Sequence, residues 1–349
     1  MTALTLDDIA KLAGVSRSTV SRVVNNHPNV SDRARKRVLK VIENTGFQPN
    51  AAARALASHR SRMLGFVLPR SVSSFFSDPY FPRLTQGVSQ ACNQFGYTLG
   101  LFLIATDEDE QNIYPQIFRK GLLDGLLVQS GDYGDESTAR LLTSSMPTLI
   151  LGRPFHTSSI PYIDVDNVAA AQLAVCHLIH QGRERVATIT GSERHTASMD
   201  RKEGYLRALF ECGKEIDQRL IVNGEFSEAT AYTAMQQLLP AKPDAVFAAS
   251  DAMAVGAMRA VRDAGLSIPD DIAFVGFDDL PLVNQPEPPL TTIHQPIFHF
   301  GFKSVELLID LIENGVVPPR PYMMPTELIV RESCGARQAA VLETPDGKQ

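Results

Sequence analysis

Arg17, Ser18, Ser21, Arg22 and Asn25 lie close together in GVSRSTVSRVVNN, residues 14–26. At about 100° per residue these five side chains fall within an arc of about 140°, and Val20, Val23 and Val24 fall within about 100° on the other side. A helix divided in this way holds on by its valines and presents guanidinium and hydroxyl groups as a set. Such a set suits the major groove of DNA, where an arginine can bind the edge of a guanine bidentately. The charge distribution agrees. The chain carries a net charge of −6, but from Met1 to Arg62 eleven basic residues face four acidic ones, a balance of +7, leaving −13 for the remainder. A basic head on an acidic body is the electrostatic footprint of a nucleic-acid-binding module joined to something else.

Three short helices would position that face. Thr5 or Leu6 opens the first, with Asp7 and Asp8 in the first turn, where the helix dipole favours negative charge. Ile9, Leu12 and Ala13 form its apolar side, and small Ala10 allows a close crossing. Gly14 supplies a left-handed C-cap, and Ser16 caps the start of the second helix. A third helix opens at Ser31, buries Val38, Val41 and Ile42, and stops at Gly46. This is a helix-turn-helix with its stabilising third helix. After it, Pro49 ends what precedes, Asn50 can cap, and AAARALAS has high helix propensity. So short a helix cannot hold alone in water, and it is expected to stay disordered until something packs on it.

Residues 4–58 resemble the DNA-binding head of the lactose-repressor and galactose-repressor family. TLDDIAKLAGVSRSTVSRVVN corresponds to the family signature and GFQPNAAARALAS to its hinge. The resemblance implies base reading by Arg17, Ser18 and Arg22, with phosphate contacts from Thr5, Ser16, Thr19, Ser21 and Asn25. It also implies that two hinge helices of a homodimer pack together in the minor groove. There Leu56 would insert as an apolar wedge, with Asn50 and Ala53 as further DNA contacts.

From Met63 the pattern changes to apolar strands separated by helical stretches. MLGFVL, YTLGLFLI, DGLLVQ and PTLILG come first, then RVATIT, DAVFAAS and DIAFVGF. Continuous apolar strands alternating with helices indicate parallel sheets covered on both faces. The series is too long for one comfortable sheet, so two lobes are expected. IPYIDVDN (160–167) and PPLTTIHQP (288–296) read as crossover strands, and FGFKSVELLIDLIENG supplies a final helix to the first lobe. The fold class is thus an all-α helix-turn-helix head on an α/β body. The expected division is 1–48 for the head, 49–62 for hinge helix and linker, 63–335 for the body, and 336–349 for a disordered tail. Within the body, lobe 1 takes about 63–162 and 294–325, and lobe 2 about 165–290. This body resembles the effector domain of the same family, a two-lobed type I fold shared with periplasmic sugar-binding proteins. The resemblance covers residues 4 to about 333.

In open α/β sheets, ligands sit beyond the carboxyl ends of the strands, here between the lobes. The resemblance assigns Asp278, at the end of IAFVGF, to the effector-binding acidic residue, and Arg201 to the arginine that grips polar groups. Phe226 and the pair Tyr80–Phe81 match aromatic platforms, and Ser250 and Asp251 a polar position that can also cap a helix. Gln129 and Arg194 complete the candidate set, while Asp166 and Asn167 read as caps of the helix after them. Carboxylate, arginine and aromatic faces together suit a sugar, through hydrogen bonds to hydroxyls and stacking on the ring face. A purine would also stack, so both classes of effector stay open. The extended SVSSFFSDPYFP loop departs from the better-known sugar repressors, which leaves the shape of the pocket open.

Other classes lack support. There is no GxGxxG after a strand, no GxxxxGK[ST], no GxSxG elbow and no HExxH, so no enzyme and no cofactor are expected. The eight histidines and four scattered cysteines show no metal-ligand spacing. No apolar run resembles a signal peptide or a membrane span, which argues against a periplasmic solute-binding protein. No leucine heptads follow residue 333, so a dimer is expected rather than a coiled-coil tetramer. The reading is an effector-responsive transcriptional repressor, cytoplasmic and nucleoid-associated, binding a palindromic double-stranded operator.

Overall fold

The computed structural model describes residues 4–24, 28–47, 60–119, 121–130, 145–155, 160–284, 286–315 and 321–336. Asn25, the hinge residues Asn50, Ala53 and Leu56, and the tail from 337 onward lie outside the described residues. The chain divides into two compact units, residues 1–62 with 118–124, and residues 63–117 with 125–349. The Asp124 carboxylate accepts from the backbone amides of Ser61 (2.6 Å) and Arg62 (2.9 Å) and from the Ser61 hydroxyl.

The head contains α1 (Leu6–Ala13), α2 (Arg17–Val24) and α3 (Asp32–Thr45). Thr5 closes a capping box with Asp8, and Gly14 at φ 60° ends α1. Ser31 caps α3 through the amide of Ala34, and Gly46 at φ 61° ends it. Ile9, Ala10, Ala13, Val20, Val23, Val38 and Phe47 form the core, with Val41 and Ile42 half-buried at its edge. Leu12 differs from its sequence assignment, since it is 59% exposed. The buried stripe of α1 centres on Ile9, Ala10 and Ala13, and at 100° per residue Leu12 falls outside it.

In the body, β1 (Met63–Leu68), β2 (Thr98–Leu103), β3 (Gly125–Gln129), β4 (Thr148–Leu151), β5 (Tyr162–Val165) and β11 (Pro321–Met324) form one sheet. Its order is β11-β5-β4-β3-β1-β2, parallel throughout. The second sheet contains β6 (Val186–Thr190), β7 (Ile221–Asn223), β8 (Ala245–Ala248), β9 (Ala273–Asp278), β10 (Thr291–His294) and β12 (Glu327–Ile329). Its order is β12-β10-β9-β8-β6-β7, with only β12 antiparallel. Every residue of β8 and β9 is buried, which is why these segments read as unbroken apolar runs. The helices of the body are α4 (Val72–Ser77), α5 (Tyr80–Phe95), α6 (Asp107–Ile117), α7 (Asn167–His180), α8 (Thr196–Glu211), α9 (Glu228–Leu238), α10 (Asp251–Asp263) and α11 (Ile297–Asn314).

The chain passes between the sheets three times. It leaves the first after β5, returns to α11 after β10, and crosses again between β11 and β12. Two lobe limits therefore change. β10 pairs with β9, so the second lobe extends past residue 290, and it regains the chain at β12, where Cys334 joins its core. β7, β11 and β12 escape sequence reading because edge strands of three or four half-exposed residues lack a continuous apolar run.

The first lobe is held by α5 against α11. A Cβ on Gly87 would fall on the carbonyl oxygen of Phe298, and one on Gly301 on that of Leu84. Each helix thus places a glycine where the other's backbone passes, and the two approach closer than any side chain permits. Gly301→Ala should destabilise the body by about 1–3 kcal/mol, the usual cost of overpacking a close contact. Denaturant unfolding of the two proteins, compared at equal slope, measures it.

Candidate functional site

On the head, Arg17, Ser18 and Arg22 are exposed on α2, while Val20 and Val23 on the same helix are buried. The division read from helical spacing is observed for Arg17, Ser18, Arg22, Val20 and Val23, whereas Ser21 and Val24 are both half-buried at its margins. Arg17 lies 3.8 Å from Asp7, both well exposed. Ser16 bonds the hydroxyls of Ser18 (2.8 Å) and Thr19 (2.9 Å) and accepts from the Thr19 amide, so its side chain tethers the first turn of α2. Thr5 caps α1 and donates to Asp8 at 2.7 Å, a bond that also holds the Asp8 carboxyl below its ordinary range. Ser21 lies half-buried on α2.

In the body, loops at the carboxyl ends of strands from both sheets enclose about 630 Å³ of space open to solvent. β1 leads to Arg70, Asp78, Tyr80 and Phe81; β3 ends in Gln129 and β4 leads to Gly152; β6 leads to His195 and to Arg201 in α8. β7 leads to Phe226, β8 to Ser250, and β9 ends in Asp278. Tyr80 and Phe81 stand edge to face with centroids 5.2 Å apart, and the Arg70 guanidinium lies 4.2 Å over the Phe81 ring. Opposite them, Phe226 and His195 have ring centroids 6.1 Å apart. The Phe226 ring occupies the place that a Cβ on Gly191 would take, so that glycine decides where the platform sits.

Arg201 is the electrostatic centre. It is only 6% exposed; its Nε donates to Asn167 Oδ1 at 2.8 Å and its Nη1 to the Ala249 carbonyl at 2.6 Å. Its guanidinium lies 3.6 Å over the Phe277 ring, and Nη1 is 3.7 Å from Asp278 Oδ1. Asp278 also accepts from the Gln295 amide. Burial pushes the Asp278 carboxyl up to about 7, against the pull of Arg201, because desolvation of a carboxylate outweighs a pair at that distance. Burial likewise raises Asp78. Gln129 brings a buried carbonyl oxygen that has no hydrogen-bond partner among the described residues. The backbone here is strained: Glu225, Phe226, Asp278 and Asp279 all have positive φ, Asp278 at 121°. Non-glycine residues take such angles only where their surroundings enforce them, and they cluster at ligand sites.

Residues 5–50 match the bacterial regulatory proteins, lacI family, and residues 175–334 match a periplasmic binding protein-like domain. The HTH-type transcriptional regulator CelR of Thermobifida fusca is 35% identical over 94% of this chain and 98% of that protein. The ribose operon repressor of Halalkalibacterium halodurans is 35% identical over 94% and 96%. Among solved structures, a CelR–cellobiose complex superposes with a TM-score of 0.75 at 32% identity, covering 95% of this chain and 99% of that one. The lac repressor dimer bound to operator and the anti-inducer ONPF superposes with 0.83 at 26% identity, over 96% and 100%. The chain belongs to the lacI family of bacterial regulatory proteins.

It is accordingly a DNA-binding transcriptional regulator. Of the pocket residues expected in this regulator from sequence, Tyr80, Phe81, Gln129, Arg201, Phe226, Ser250 and Asp278 line one cavity. Ser250 does two jobs, since its hydroxyl also caps α10 through the Met253 amide. Asp251 and Arg194 do not line it. Asp251, one residue into α10, turns away to accept from the Leu280 amide at 2.9 Å and from the Thr292 hydroxyl, and burial raises its carboxyl well above the ordinary range. Arg194 is exposed, and its neighbour His195, which starts α8, takes the lining position. Asp166 caps α7 through the Ala169 amide, whereas Asn167 is buried and holds Arg201. Arg70, Asp78 and His195 were not foreseen. Asp78 lies in the extended SVSSFFSDPYFP loop and His195 beside the candidate Arg194, but nothing in the order of residues says which side chain turns inward.

Because the folded-state Asp278 carboxyl sits above its unfolded value, folding retains a proton there that the unfolded chain loses. Its contribution to stability is complete below the ordinary carboxylate range and is lost as pH rises toward 7. Asp278→Asn, which cannot ionise, should therefore flatten the fall in thermal midpoint between pH 4.5 and pH 7.5. A wild-type slope in the variant would show that the carboxyl titrates normally.

Proposed function

We propose that this regulator is a sugar-responsive repressor that binds a pseudo-palindromic operator as a homodimer, in the cytoplasm on the nucleoid. In the head, Arg17, Ser18 and Arg22 read base edges in the major groove, and Thr5, Ser16, Thr19 and Ser21 contact phosphates. One recognition helix reads only a few base pairs, so two related by a dyad are needed for a specific site. The Thr5 and Ser16 hydroxyls, which cap helices in the free protein, would exchange those bonds for phosphate on docking. In the body, Phe226, Tyr80 and Phe81 stack on the ring face of the effector. Arg201 and Asp278 hold its hydroxyls, and the Gln129 carbonyl accepts from one of them.

The observation that carries the sugar assignment is the pairing of those aromatic faces with a guanidinium–carboxyl couple in one cavity. It is supported by the likeness to CelR, solved with cellobiose. Nucleobases are the competing class, because they too stack on aromatic rings. A thermal-shift screen of monosaccharides, disaccharides and purines, followed by operator titration with each hit, separates the two.

Two variants then divide the molecule. Arg22→Ala should weaken operator binding by about 1–3 kcal/mol and relax preference at one position in each half-site, with little change on random DNA. Equal loss on both DNAs would make Arg22 a phosphate contact. Asp278→Ala should keep operator affinity while losing the response to the hit, since coupling requires effector contact in the cavity. A normal response would place the effector elsewhere.

A further inference from the structure

The two walls of the cavity are joined by more than the chain crossovers. Arg153, in the loop after β4 of the first lobe, reaches Asp200 on α8 of the second with both arms. Its Nη2 donates to Asp200 Oδ1 at 2.6 Å and its Nε to Oδ2 at 2.9 Å. The Asp200 side chain is 18% exposed and that of Arg153 39%. The backbone of Arg153 is engaged as well. Its carbonyl accepts from the Thr196 hydroxyl of α8 at 2.8 Å and from the Ser130 hydroxyl of its own lobe at 3.1 Å. Its amide donates to Asp164 at 2.7 Å.

Asp164 ends a second line of bonds to the same helix. It accepts from the Asn167 side chain at 3.2 Å, and Asn167 in turn accepts from Arg201, the neighbour of Asp200. The two lines meet where the chain passes from β5 to α7. Rotation of the lobes about that crossover would have to part Arg153 from Asp200 and from Thr196 together. A single exposed ion pair is worth little, but a bidentate one with a half-buried acceptor and two further backbone bonds is held in one geometry.

We propose that Arg153 and Asp200 form a clasp that fixes the angle between the lobes, so that they set effector affinity as positioning residues while touching no effector. An effector enters a site whose walls are already placed, and loses less freedom in ordering them. The proposal concerns the body's own contacts and does not depend on which effector the cavity takes.

Hydrogen exchange on the ligand-free, full-length protein tests it. Asp200→Asn and Arg153→Gln should each speed amide exchange several-fold in residues 126–130 and 194–202, the two facing walls. Exchange in 251–263, inside the second lobe, should stay at the wild-type rate. Wild-type exchange in both walls overturns the clasp. So does equal acceleration from Arg207→Ala, which breaks an exposed pair with Glu203 on the same helix and could act only by loosening α8. If Asp200→Asn fails to fold, Arg153→Lys takes over the test, since it keeps the charge but loses the fork. It should accelerate exchange in both walls by a smaller factor, and no acceleration overturns the clasp.

Discussion

A guanidinium cannot shed its charge, so burying Arg201 obliges the surrounding structure to satisfy it. Several elements of the second lobe near the cavity are committed to that end. Asn167 at the start of α7 takes Nε, the carbonyl of Ala249 after β8 takes Nη1, Phe277 in β9 offers its ring face, and Asp278 offers a carboxyl. Removing any one leaves a buried cation short of a partner, which is far costlier than losing an exposed contact. The same commitment explains Asp278. Its backbone takes a φ of 121° to bring the carboxyl to the end of β9, and Gln295, just beyond β10, steadies the oxygen that faces Arg201.

Those partners sit on different elements because parallel strands all end at the same edge. Two such sheets, each with its carboxyl ends toward the other, deliver short loops into one space, and the loops need only carry polar and aromatic residues. The close crossings behind them make this rigid. Gly87 and Gly301 let α5 and α11 approach at backbone distance, and Gly191 leaves room for Phe226. Asn167 and Gln295 lie beside the crossover segments, so the bonds that orient the site's charged groups start where the lobes are joined.

The head was legible almost residue by residue. Its helices are amphipathic, capped by Thr5 and Ser31 and ended by Gly14 and Gly46, and each of these signals is local. Leu12 was misplaced, because at about 100° per residue it falls outside the stripe of Ile9, Ala10 and Ala13. Val41 and Ile42, read as buried, and Ser21, read as outward-facing, are all half-buried. The principal strands of the body were legible too, since strands buried on both faces must be apolar throughout. The short edge strands β7, β11 and β12 were not, because one open face removes the requirement that made the others visible. That concealed the third passage between lobes.

The sequence by itself determined the helix-turn-helix, the alternation that yields two sheets, and the strand ends at which Gln129, Ser250 and Asp278 emerge. Local patterning suffices for these, because helical spacing, capping and continuous apolar runs act over a few residues. Only the tertiary structure decided which neighbour at each strand end turns inward: His195 and not Arg194, Ser250 and not Asp251. It alone also brought Arg153 to Asp200, across 47 residues of chain. Side-chain direction at a loop, and pairing between residues far apart, depend on backbone angles and on the close approach of separate elements. Neither is written in the order of residues around them.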